Sequence, residues 1–257
     1  IDFYTSFSEY QSTFENIEAL GVGNGMYLAA TNSGFNPGNC TFTRVFMDIY
    51  RANGKGFYFY TPDTGGQFNI TKFQQCEAID TSGTSTTSIG MHFRGSTTSY
   101  FRTKNILVDS TNLEGFTTAI QFDYSVSNRV SLNYVDVGAN GTYVKFDSNS
   151  YNNQVEILSS YVAVSRTVTM VDDANTNENQ PNILKGIECY TDTGSTVNAT
   201  LTRATKLEYM GITGVGTIAS TLSSRSNNQN KLVLTRPDGT VRKLTISDLD
   251  VVTVSST

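Results

Sequence analysis

Four short stretches of this chain read alike: 56–60 (GFYFY), 89–93 (IGMHF), 119–123 (AIQFD) and 143–147 (YVKFD). Each carries a phenylalanine, Phe59, Phe93, Phe122 or Phe146, two residues after another apolar or small residue. That is the alternation of a half-buried strand. The steps between the phenylalanines are 34, 29 and 24 residues. A second, shorter strand pattern follows the last three, opening at Asn105, Asn128 and Asn153. Units of this size cannot bury an apolar face alone, and a chain built from them must stack one unit on the next. An all-β fold of parallel strands wound as a solenoid follows.

Composition agrees with strands and polar turns. Only 16% of the residues are charged, where a soluble domain ordinarily carries about a quarter; Ser, Thr, Asn and Gly fill the difference. An exposed helix would use Glu, Lys and Arg instead. The net charge of −5 and the lack of a basic stripe exclude nucleic acid as a partner. No run of about 18 apolar residues is present, so no membrane-inserted helix is expected. The chain opens at Ile1 without a signal peptide, which reads as a piece of a longer protein. Its three cysteines, Cys40, Cys76 and Cys189, are too few and too widely spaced for a disulfide framework or a zinc cluster. They read as buried thiols, and no metal or cofactor is expected.

The two ends differ from the middle. Phe3, Phe7, Tyr10, Phe14 and Ile17 recur every three or four residues, the spacing of an amphipathic helix. Residues 1–38 are therefore expected to form an N-terminal helical cap over the open end of the solenoid, which spans 39–226. Residues 231–235 and 240–246 flank the turn Arg236–Gly239 (RPDG) and predict a β-hairpin. It is assigned to a separate C-terminal module, 227–257. Leu232, Val233, Leu234, Val241, Leu244, Ile246, Val251 and Val252 give this module more apolar surface than one hairpin buries. A homotrimer held by the module would bury it.

Signs of chemistry are sparse. The single histidine, His92, precedes an inward phenylalanine, so alternation turns it outward as a bystander. Asp123 and Asp147 follow Phe122 and Phe146, and stacked strands lie about 4.8 Å apart. Two carboxylates so placed suit the acid and nucleophile of a glycosidase, or form a solvated face, the simpler reading. Glu156 is a further carboxylate candidate. Tyr100, Tyr124 and Tyr151 sit in or beside turns among many Asn, Ser and Thr residues. Aromatic faces with amide and hydroxyl neighbours suit sugar rings, and they suit subunit packing equally well.

The phenylalanine column, the strand starts at Asn105, Asn128 and Asn153, and the 232–246 hairpin give the chain the look of bacteriophage tailspikes and tail fibres. It resembles them in architecture and composition over most of its length, not in a motif. The resemblance implies a right-handed parallel β-helix, a homotrimer in the virion tail, and extracellular attachment to host-surface polysaccharide. Many members also cleave that polysaccharide with paired Asp and Glu residues, but no catalytic motif carries over. The expectation is therefore attachment without cleavage. A polysaccharide hydrolase or lyase on the same fold, and a structural shaft or adhesin segment, are the alternatives.

Overall fold

The computed structural model describes residues 3–4, 12–30, 40–63, 68, 70–83, 87–97, 102–202, 204–214, 217–222, 231–235, 241–245 and 252–253, with side chains described between residues 12 and 214. The fold is all-β: among the described residues there is no helix, and a 21-stranded sheet pairs almost wholly in parallel, beside a two-stranded one formed by Thr103–Lys104 and Ser125–Val126.

The strands fall into three stacks. In the first, Phe14, Phe42, Phe73, Val108, Val130, Val155, Leu184 and Leu207 lie over one another through successive parallel pairings. In the second, Ala19, Met47, Ala78, Leu113 and Val135 do the same. The third superimposes Leu28, Phe59, Phe93, Phe122 and Phe146. Between stacks the chain turns at residues with positive φ. Asn16, Arg44, Gln75 and Ser110, with φ between 53° and 55°, mark the passage from the first stack to the second. Such a residue resets the in–out alternation, because the left-handed conformation breaks the pleat.

This corner overturns the helical cap. Thr13–Val22 is a strand, as is Phe3–Tyr4, while Phe7 and Tyr10 lie outside the described residues. Phe14 pairs with Phe42 before the turn at Asn16, and Ile17 pairs with Val45 after it. The three-residue step that reads as helical is thus the step across a corner, repeated by Phe42 and Val45 one layer on.

The core is a set of like-on-like columns. The rings of Phe59, Phe93, Phe122 and Phe146 stack at centroid separations of 4.8, 4.8 and 4.9 Å, near the strand spacing, and are essentially without exposure. Beside them runs a buried amide ladder. Asn128 Nδ2 donates to Asn153 Oδ1 at 3.0 Å, and Asn153 Nδ2 to Asn182 Oδ1 at 3.3 Å. The same oxygens accept the backbone N–H groups of Asn128 and Asn153. Asn105 does not join this ladder: it is exposed at a corner with φ 60°, and Ile106 N donates to Asn128 Oδ1 in its stead.

At its far end the phenylalanine column meets a carboxyl group, since Phe146 pairs with Asp173, which is 2% exposed. Asp173 accepts from Asn175 N at 2.9 Å and Thr205 Oγ1 at 2.8 Å, and among the described residues no cation pairs with it. Burial pushes its pKa up to about 6 against those hydrogen bonds. Beyond it, Lys231–Thr235 pairs in parallel with Met210–Gly214, and Val241–Thr245 returns antiparallel as the expected hairpin; the turn between them lies outside the described residues.

Replacing Phe122 by Ala removes one ring from a closed column and is expected to cost about 3–5 kcal/mol in chemical denaturation; a loss below 1 kcal/mol would contradict the packing. Asp173 gives a second expectation. Its folded pKa exceeds the unfolded value, so its contribution is most favourable in acid and is lost as pH rises through 6. The two pKa values, about 3.9 and about 6, correspond to roughly 2 kcal/mol lost between pH 4 and 7. Asp173→Asn keeps an acceptor for Asn175 and should unfold at a higher temperature than the parent at pH 7 but not at pH 4. Parallel pH profiles for the two proteins would show that the carboxyl does not titrate in this way.

Candidate functional site

The third stack has an outward face as well as an inward one. The register that superimposes the phenylalanines also superimposes Tyr27, Tyr58, His92, Gln121 and Lys145 on the opposite face. One position beyond the phenylalanines, Tyr60, Arg94 and Asp123 form a further column. Asp147 follows, its N–H bonded to Phe122 O.

This face is covered, not bare. The ring of Tyr58 lies 5.0 Å from those of both Tyr27 and His92, at 20° to the imidazole. Lys55 Nζ sits 3.7 Å above the Tyr58 ring, and the Arg94 guanidinium 5.7 Å from the Tyr60 ring. Alternation does turn His92 away from the core, but its neighbours leave it only 4% exposed. It is no surface bystander.

His92 Nε2 lies 2.7 Å from Asp123 Oδ2, and Gln121 Nε2 donates to the same oxygen at 2.8 Å. Burial lowers the pKa of His92, keeping the ring neutral. Burial also pushes Asp123 upward, but the donors His92 and Gln121 and the Arg94 charge outweigh it and hold the carboxyl below its usual range. An ionised Asp123 only accepts, so the ring proton is on Nε2. Nδ1 is buried without a partner.

Alongside this cluster is a cleft of about 440 Å³ whose walls include Tyr60, Asp63, Arg94, Asp123, Tyr124 and Asp147. Of the residues singled out in the sequence, the fold therefore brings Asp123, Asp147 and Tyr124 together. Asp147 accepts Tyr124 N–H at 3.2 Å and Asn149 N–H at 3.0 Å, holding a turn in which Tyr124 has φ 50°. Burial raises its pKa, and the Asp123 charge adds to the rise, against those bonds. Asp63 accepts from the hydroxyl of Ser96, and from that of Thr97 at 3.4 Å.

The remaining candidates lie apart from the cleft. Tyr151 and Tyr124 flank the Arg102 guanidinium, at 5.1 and 5.7 Å from their ring centroids. Glu156 projects from the first stack, accepts Ser131 Oγ at 3.1 Å and lines a separate groove with Arg129 and Lys185. Tyr100 lies outside the described residues. Residues of the cluster that the sequence did not single out are Arg94, Asp63, Tyr58 and Tyr60, and His92 reads from the sequence only as a bystander. The signal for four of them was in the repeat itself: aligning Phe59, Phe93 and Phe122 sets Tyr58 beside His92, and Tyr60 and Arg94 beside Asp123.

Among the described residues no three His, Cys, Asp or Glu side chains converge as a metal cage requires, and no helix is long and apolar enough to cross a membrane. Cys40, Cys76 and Cys189 are buried free thiols, with Cys189 pushed up to about 12 by burial. Comparison with family models, with characterised proteins and with solved structures finds no match to the chain.

Proposed function

We propose that this chain is an attachment segment of a bacteriophage tailspike or tail fibre, binding polysaccharide on the host surface. The observation that carries the reading is the cleft between Tyr60, Arg94, Asp123 and Asp147. It offers carboxylate acceptors, with Asp123 held ionised, a guanidinium and phenol groups, positioned by strands that the core columns fix, as polyhydroxyl ligands require. The three parallel stacks, turned at recurrent corners, support a right-handed parallel β-helix as the scaffold, the form in which such fibres are built. In this reading the protein acts outside the cell as part of the virion.

Cleavage of the polysaccharide is a second reading, favoured by one observation. Two carboxyl groups in the same cleft are shifted in opposite directions, Asp147 raised and Asp123 lowered, as an acid and its partner carboxylate need. The bonds that Asp147 accepts from two backbone N–H groups weigh against it, since they commit its oxygens to holding a turn. Binding without cleavage is the stronger reading. The remaining alternative, a structural shaft or adhesin segment, leaves the ionised, hydrogen-bonded lining of the cleft without a role.

Purified bacterial capsule and lipopolysaccharide polysaccharides, immobilised as a panel, test the reading. At least one is expected to retain the protein, with no shorter oligosaccharide released into solution. Retention by none would end the attachment proposal. Release that disappears in the Asp123→Asn, Asp147→Asn double variant would replace it with the hydrolase.

The hairpin at 231–245 supports assembly of three copies, because its strands carry Leu232, Leu234, Val241 and Leu244. Light scattering should give a trimer mass for the full chain and a monomer mass after removal of 227–257. A truncated protein that stays trimeric would exclude the hairpin as the clasp.

A further inference from the structure

We infer that Asp123 and Arg94 together read a pair of adjacent hydroxyl groups on a sugar ring, with His92 as the residue that positions Asp123. The inference rests on the polysaccharide-binding reading and names the chemistry that the cleft selects.

The geometry at Asp123 is asymmetric. Both protein donors, His92 Nε2 and Gln121 Nε2, converge on Oδ2. Among the described residues Oδ1 receives no donor, although the side chain is 23% exposed and forms part of the cleft wall. One oxygen is thus anchored while the other is presented as an ionised acceptor. Hydrogen bonds to ionised acceptors are the strong class, about 1.5–3 kcal/mol each. Arg94 is the direct strand partner of Asp123, is exposed, and among the described residues has no carboxylate within ion-pairing distance. Its contacts are the Tyr60 ring and the Tyr58 phenol. A bare acceptor beside a guanidinium complements a ligand that donates from one atom and accepts at its neighbour. Two adjacent hydroxyls do both.

Other ligand chemistries fit less well. A polyanion would meet three carboxylates, Asp63, Asp123 and Asp147, against the single cation Arg94 in the cleft wall. A metal ion lacks a cage, because Asp63 is engaged by hydroxyls and Asp147 by backbone N–H groups. An acetamido group has a donor and an acceptor too, and the experiment separates it from a diol.

The positioning role of His92 follows from its packing. It is buried, stacked on Tyr58, and its ring makes its only hydrogen bond among the described residues to Asp123. Rotation of the carboxylate would break that bond and the one from Gln121 together. His92 therefore fixes the orientation of the carboxylate, and so the direction in which its second oxygen is presented, while lying outside the cleft wall itself.

Mild periodate oxidation cleaves carbon–carbon bonds between adjacent hydroxyls and leaves isolated hydroxyls, carboxylates and acetamido groups intact. Polysaccharides from the capsule and lipopolysaccharide panel that retain the full-length protein are oxidised and tested again. Affinity should fall at least tenfold after oxidation. It should fall tenfold or more on the intact polysaccharide for Asp123→Asn, which keeps an acceptor toward His92 and turns the outward atom into a donor. Arg94→Met, at an exposed position where folding is not at stake, should weaken binding similarly. His92→Phe preserves the ring stack and removes the donor; a threefold to tenfold loss is expected, with recovery in His92→Gln, which can donate again. On saturation with polysaccharide the ¹⁵N resonance of His92 Nε2 should shift, because the charge on its acceptor is redistributed. Binding that survives periodate, or that is unchanged in both Asp123→Asn and Arg94→Met, would overturn the diol inference and leave attachment standing. Failure of every polysaccharide to bind would overturn both.

Discussion

Parallel pairing in register is the constraint from which the rest of this structure descends. A strand paired this way sets each residue over its counterpart in the next layer, about 4.8 Å away, so every side chain has a copy of its own position above and below. Phenylalanine answers the constraint with offset-stacked rings, which are favourable at that distance. Asparagine answers it with an amide that donates up one side and accepts on the other. A charged residue in the core has no such answer, since repeating it would set like charge on like charge; away from the core Glu114 does lie over Asp136, and burial and its carboxylate neighbours raise its pKa. Accordingly the column holding Asp173 has phenylalanine, not a second carboxylate, in the layer before it.

The same constraint arranges the cleft. Arg94 and Asp123 are neighbours because they are equivalent positions of successive layers, and His92 stands two residues before Arg94 on the same strand and so on the same face. The inner and outer faces are therefore not independent. The ring column that fixes Phe93 over Phe122 fixes the distance between Arg94 and Asp123 as well. A core substitution that slips the register by one residue would exchange the two faces and dismantle the cleft.

What the sequence discloses follows this division. The phenylalanine column is legible because inward positions repeat with the layers, and Asp123 and Asp147 are legible because each immediately follows one of those rings. The strand at Thr13–Val22 is masked because a left-handed corner at Asn16 inserts the three-residue step that a helix also produces. His92 is masked for another reason: its burial comes from Tyr58, 34 residues earlier, and not from anything on its own strand. Glu156 misleads in the opposite direction, being near Asp147 along the chain yet carried round a corner onto the first stack. The asparagine ladder shows both outcomes at once, with Asn128 and Asn153 in their expected places, Asn105 displaced to a corner and Asn182 standing as the third member.

The hydrogen bonds between successive layers have a mechanical consequence. They lie along the direction in which the strands stack, three ladders side by side holding each layer to the next. Tension along that direction loads the layers in series, so the weakest one yields alone and the chain peels from an end. A load applied across it is shared by all the layers in parallel. The stack is consequently stiff against sideways shear and yielding under axial pull.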